Sequence, residues 1–164
     1  RYTKAPLGII TSSISQVFYE DASKKVNAGE DIRPMMFKIQ KNLFLFTFPF
    51  YIIGLIWAPD IFAFVFSDSY YQAGEIAALL LPWIYFNFLI SPISGITLIF
   101  NRQKEALLLS IIDLALRIAA ICIGGWYGDW ELTFFLLSFI CSIYLIFAAW
   151  WYYLIADPRK LKRY

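Results

Sequence analysis

The stretch SIIDLALRIAAICIGG, residues 110–125, sets a carboxylate and a guanidinium four residues apart in an otherwise apolar run: Asp113 and Arg117. On a helix this spacing brings both groups to one face, and acid-before-base is the favourable order for an ion pair. Two chemistries fit. The pair can neutralise itself as a structural contact. Alternatively Arg117 can meet an anionic ligand while Asp113 orients it, since the planar guanidinium stays charged and grips phosphate oxygens bidentately. Other chemistries are excluded early. The chain contains no histidine, so it supplies no imidazole base or ligand. Cys122 and Cys141 lie inside apolar runs and read as small packing residues rather than a disulfide or metal site. No metal ligand set and no cofactor motif is present, and a net charge of +2 is too mild to suggest nucleic acid.

The elements that hold this pair are read from composition. Hydrophobic residues make up 60% of the 164, and charged residues only 16%, against about 25% in ordinary soluble domains. That leaves too few polar residues to cover a soluble core. A membrane helix needs roughly 20 mostly apolar residues, which predicts an all-α integral membrane protein with four full spans, at about 36–58, 76–100, 106–125 and 132–156. APLGIITSSISQVFY, over about 5–19, reads as the end of a partial fifth span. The chain opens at Arg1 without an initiator methionine or signal-peptide pattern, and the expectation is the C-terminal portion of a longer protein. IFAFVFSDSYY is too short to cross again and is expected to form an interfacial helical turn. Pro82 and Pro92 both fall within the span at 76–100, where neighbouring helices can re-satisfy the backbone.

The loops give the orientation. Residues 20–42 carry Lys24, Lys25, Arg33, Lys38 and Lys41; 101–105 carry Arg102 and Lys104; the tail carries Arg159, Lys160, Lys162 and Arg163. The intervening loops hold Asp60, Asp68 and Glu75, then Asp129 and Glu131, with no Lys or Arg. Basic and non-basic loops alternate at every crossing, as the positive-inside rule requires, so the basic loops and the C-terminus are expected to be cytoplasmic. Trp57, Trp126, Tyr127, Trp130, Trp151 and Tyr152 fall near span ends, as an aromatic belt would.

Within the spans, small and polar residues recur at helical spacing. Ala106, Ser110, Asp113, Arg117, Ala120 and Gly124 share one face, with Leu107, Leu108, Ile111, Ile112, Leu114 and Ile118 elsewhere. In lipid the small, polar stripe packs inward and the leucines face acyl chains. Gly8, Ser12, Ser15 and Tyr19 repeat the pattern. So do Asn87, Ser91 and Ser94, and Ser138, Cys141 and Ser142. A single stripe of this kind reads as ordinary helix packing, but four spans with such stripes favour a shared hydrated interior, which periodicity alone does not prove. Arg117 lies roughly twelve residues into its span, about 18 Å at 1.5 Å per residue, and so near midplane. A charge there costs about 2.5–3.5 kcal/mol on insertion scales, which makes Arg117 a functional-site candidate.

SSISQVFYEDASKKVNAGEDI, then FAFVFSDSYYQAGEIAALLLPWIY after a span, and NRQKEALLLSIIDLALRIAAI together resemble the C-terminal half of bacterial polysaccharide flippases. These are the O-antigen and lipopolysaccharide transporters of the multidrug, oligosaccharidyl-lipid and polysaccharide exporter superfamily. Phe66, Ser67, Asp68, Ser69 and Tyr70, followed by Ala73 and Gly74, match a Phe-Gly-Asp-x-Tyr-like outer loop, with Ser67 where glycine is expected. The resemblance implies a non-enzymatic transporter of 12–14 helices in two lobes, seated in the bacterial plasma membrane. This chain would form most of the second lobe, alongside the missing N-terminal helices. It would move undecaprenyl-pyrophosphate-linked oligosaccharide by alternating access. The resemblance further implies that cationic cavity residues hold the anionic substrate: Arg117 with Asp113 first, Lys4 second, with Ser12, Ser15, Asn87 and Ser91 as polar lining. Three alternatives stand beside it. A small-molecule exporter of the same superfamily should favour acidic and apolar cavity residues. A polymerase or ligase of polysaccharide synthesis should carry large catalytic outer loops, which are short here. A scaffolding subunit would use the pair only for structure.

Overall fold

A computed structural model of the chain describes residues 6–157, with side chains described from Ser15 onward. The described residues are helical with short connections and no strand. The helices are α1 (Pro6–Asn27), α2 (Arg33–Val65), α3 (Tyr71–Ile90), α4 (Ile96–Ile99), α5 (Gln103–Tyr127) and α6 (Trp130–Ile155). Four helical segments are long and apolar enough to cross a membrane: Arg33–Val65, Asp68–Ile99, Gln103–Tyr127 and Trp130–Ile155. The protein is an all-α, multi-pass membrane protein.

Three boundaries differ from the sequence expectation, each for a local reason. Helix α1 does not end at residue 19 but runs to Asn27, where Lys24 and Lys25 occupy the last turn and complement the helix dipole. Helix α2 continues through Pro59 to Val65, so IFAFV prolongs the helix rather than forming a separate turn, and a short 3₁₀ turn at Asp68–Tyr70 lies between α2 and α3. The third difference is the stretch 76–100, which is not one helix. Pro92 lacks an N–H and its ring crowds the preceding turn. The chain tightens to 3₁₀ at Ser91–Ile93 and resumes as the single turn α4. Hydroxyls hold the carbonyls of this break: Ser94 Oγ donates to Ser91 O at 2.7 Å, and Thr97 Oγ1 to Ser94 O at 3.1 Å.

The principal packing contacts run α2 to α3, α3 to α6 and α6 to α5, so the long helices stand in a row with α2 and α5 at its ends. Helix α1 lies against the break at Ser91–Ile93 and against α4. Phe18, Ala22, Ile32, Met36, Ile93 and Ile155 form a core where α1, the start of α2, the break and the end of α6 converge, on the side of the basic loops. There the Tyr153 hydroxyl donates to Gln40 Oε1, tying α6 to α2. Elsewhere apolar side chains point outward. Leu107, Leu108, Ile111, Leu114 and Ile118 are each more than half exposed, a face that suits acyl chains and not water. Trp126 and Tyr127 are exposed at the end of α5, whereas Trp151 and Tyr152 pack against the core. The row of described helices does not by itself enclose a lumen; the α6 stripe Ser138, Cys141 and Ser142 is buried, whereas Asn87 and Ser110 are exposed.

Candidate functional site

Helix α5 runs for 25 residues, and Asp113 and Arg117 fall on either side of its midpoint. Arg117 Nη2 donates to Asp113 Oδ2. The pair is turned toward the neighbouring helices but not sealed: the Asp113 side chain is 17% exposed and that of Arg117 33%. Further along α5 toward its C-terminus, Ala120 and Gly124 on the same face are buried. Ser110 departs from the expected stripe. It is exposed, and its hydroxyl bonds back to Ala106 O at 2.9 Å, a self-contained arrangement common for serine inside helices. Leu109 and Leu116, half-buried, share the inner side instead.

Two other helices complete the niche. Trp83 of α3 presents its ring face to Arg117, whose Cζ lies 4.9 Å from the ring centroid, a cation–π geometry. From α6, the buried Cys141 thiol lies beside Arg117 and Asp113. Tyr144, close to the same pair, donates its hydroxyl to Leu109 O at 2.9 Å and so staples α6 to α5. Ser138 Oγ accepts from Trp83 N at 3.3 Å, fixing α3 against α6 next to the helix-interior Pro82. The niche is not saturated by its own groups. Asp113 Oδ1, Arg117 Nε and Trp83 Nε1 are buried with no hydrogen-bond partner, although guanidinium alone offers five donors. Among the described residues no three His, Cys, Asp or Glu side chains gather as a metal site.

The structure thus brings Asp113 and Arg117 together. Asn87 lies on α3 four residues beyond Trp83, on the same side of the helix, and Ser91 follows just past the end of α3. The Asn87 side chain is exposed about 6 Å along the axis from Trp83, and Ser91 is half-buried in the 3₁₀ turn. Ser15 is half-buried on α1. Lys4 and the side chain of Ser12 lie outside the described residues. Trp83 is the partner that periodicity missed. Its signal was position: it sits in mid-segment, away from the span ends where tryptophans usually collect.

A ring swap tests its role. Trp83→Phe keeps an aromatic face and deletes the partnerless N–H, so it is expected to cost less than about 1 kcal/mol. Trp83→Leu loses the cation–π contact and is expected to cost about 1–2 kcal/mol. Thermal unfolding of the two variants in detergent should preserve that order.

No protein-family model, curated protein or solved structure matches the chain.

Proposed function

We propose that the chain is part of a transporter that carries a lipid-linked oligosaccharide across the bacterial plasma membrane, and that Arg117 meets the anionic linkage of that substrate. The observation that carries this reading is one partly exposed arginine at the centre of a membrane-crossing helix, oriented by Asp113 and Trp83 rather than fully quenched. A guanidinium at this depth is expensive, and membrane proteins retain such groups where they pair or serve a ligand. Only one contact ties it to Asp113, so further donors remain for oxygens of a pyrophosphate. The exposed amide of Asn87, one turn from Trp83, would extend the polar surface toward the sugar. The resemblance of residues 12–32, 62–85 and 101–121 to polysaccharide flippases supplies the substrate class. The alternation of loop charge supports a cytoplasmic C-terminus.

No bond is made or broken in this mechanism. The carrier needs two conformations with different affinity for the same ligand, and the anion contact at Arg117 is one source of that difference. The break at Ser91–Ile93, where the α-helical ladder gives way to 3₁₀, is one place where the described helices could bend.

Binding of undecaprenyl pyrophosphate to the purified protein tests the reading. The double variant Asp113→Asn/Arg117→Gln keeps shape and removes both charges. It is expected to bind about tenfold or more weakly, the worth of one charge-assisted contact, and to fail in export when it is the only copy in cells that depend on the protein. If it binds and exports as the unaltered protein does, the pair is a structural contact. If vesicles holding the protein hydrolyse or ligate lipid-linked sugar, the protein is an enzyme.

A further inference from the structure

Cations on the basic side of the molecule are partnered unevenly. Lys24 pairs with Glu20 at 2.6 Å, Lys25 with Glu30 at 2.6 Å, Arg33 with Asp31 at 2.7 Å, and Arg102 with Glu105. The neighbouring carboxylate holds the Lys24 and Lys25 ammoniums above their ordinary pKa. Lys38 and Lys41 differ. Both are exposed, and among the described residues neither makes an ion pair.

They stand three residues apart on α2 and are therefore adjacent on its surface. The opposite side of the helix is committed inward: Met36 is buried in the core and Gln40 accepts from Tyr153. The stripe that begins with the lysines continues as Leu45 and Phe48, which are 60% and 41% exposed. Depth follows from the charge-free length. Residues 42–59, between Lys41 and Asp60, hold no charge. At 1.5 Å per residue these 18 positions span about 27 Å, close to the roughly 30 Å thickness of a bilayer's hydrocarbon. Lys41 is therefore level with the headgroups on one side and Asp60 on the other. Lys38 lies nearly one turn, about 4.5 Å, further out.

We propose that Lys38, Lys41, Leu45 and Phe48 form a binding site for an anionic phospholipid. The headgroup phosphate bridges the two ammonium groups and one acyl chain follows Leu45 and Phe48. Two adjacent like charges repel, and a phosphate between them turns repulsion into two attractions. A soluble anion would gain only the charges; the site's apolar stripe, directly beneath at acyl depth, selects a lipid. This inference does not depend on the transport reading.

Lipid selectivity in mixed bilayers tests it. With the protein reconstituted in phosphatidylcholine, spin-labelled phosphatidylglycerol is expected to associate more strongly than spin-labelled phosphatidylcholine, by about fivefold per lysine at low salt, with the preference falling as salt rises. Lys38→Gln/Lys41→Gln is expected to abolish the preference, and Lys24→Gln/Lys25→Gln to keep it. A phosphatidylglycerol with a photoreactive acyl chain should label the peptide containing Leu45 and Phe48. Equal selectivity in the Lys38/Lys41 variant, no selectivity in the unaltered protein, or labelling confined to other helices would each overturn the proposal.

Discussion

Asp113→Ala is expected to destabilise the protein by about 2–3 kcal/mol, below the ~3–5 kcal/mol usual for a fully buried ion pair because solvent reaches part of Arg117. The carboxylate is the anion in contact with Arg117. Without it the guanidinium remains at the centre of α5, facing the Trp83 ring and the Cys141 thiol, with its Nε already lacking a partner. A ring face and a thiol do not replace a carboxylate: the cation–π term is about 2 kcal/mol when desolvated. The cost therefore belongs to the unpaired charge and not to the missing side-chain volume. A second substitution separates the two. Asp113→Ala/Arg117→Leu removes the orphaned charge and is expected to recover most of the loss, because replacing both ions by apolar groups is often neutral. Folded fraction in detergent or bicelles, measured for the two single variants and the double, gives the coupling directly. If the double variant is no more stable than Asp113→Ala alone, the pair is not what holds this part of the bundle. The same double variant should be folded yet defective in pyrophosphate binding, which separates stability from function.

Much of the architecture was legible because lipid imposes strong rules on sequence. Apolar length marked the four spans, and the alternation of basic with acidic loops supplied an expected orientation. The inward turn of Asp113, Arg117, Ala120 and Gly124 followed from spacing alone, and so did the outward turn of Leu107, Ile111 and Ile118. Periodicity reports which side of a helix is small; it does not report which helix lies against that side. That is why Trp83, thirty-four residues from Arg117 in sequence, was missed, and why the row α2–α3–α6–α5 was not foreseen. Ser110 was misplaced for a related reason. A serine that bonds its own helix is satisfied in lipid and carries no information about facing. The break at Ser91 was half-visible: Pro92 marked a disturbed backbone, but Pro49, Pro59 and Pro82 are accommodated inside helices. Proline identity alone therefore does not separate a break from a tolerated residue.

Gly124→Ala is expected to pry α5 from α6, while Gly125→Ala, one residue on, is expected to be neutral or slightly stabilising. The two helices are joined by a very short turn. Gly128 ends α5 with φ +66°, in the left-handed region, and Asp129 caps α6 by accepting from Leu132 N at 3.1 Å. So abrupt a reversal brings the last turn of α5 directly onto the first turn of α6. A Cβ at Gly124 would lie 2.5 Å from Thr133 Cα and 2.6 Å from its Cβ. Backbone cannot rotate away as a side chain can, so the helices must separate, and the Tyr144–Leu109 staple further along the same interface loosens with them. Overpacking costs of about 1–3 kcal/mol are usual, and a clash with backbone belongs at the upper end. At Gly125 an added Cβ meets nothing within 4 Å. There alanine gains helix propensity of up to about 1 kcal/mol. Gly74 offers an independent copy of the argument on the α2–α3 hairpin, where an added Cβ would lie 2.5 Å from Pro59 Cα and 2.7 Å from Ala58 O. Unfolding in bicelles should rank Gly124→Ala and Gly74→Ala together well below Gly125→Ala. Equal stability of all three would mean that close backbone approach does not set the helix spacing. Because Gly124 and Arg117 lie on the same face of α5, Gly124→Ala should also shift Trp83 fluorescence as the guanidinium withdraws from the indole, linking the packing of the turn to the geometry of the charged niche.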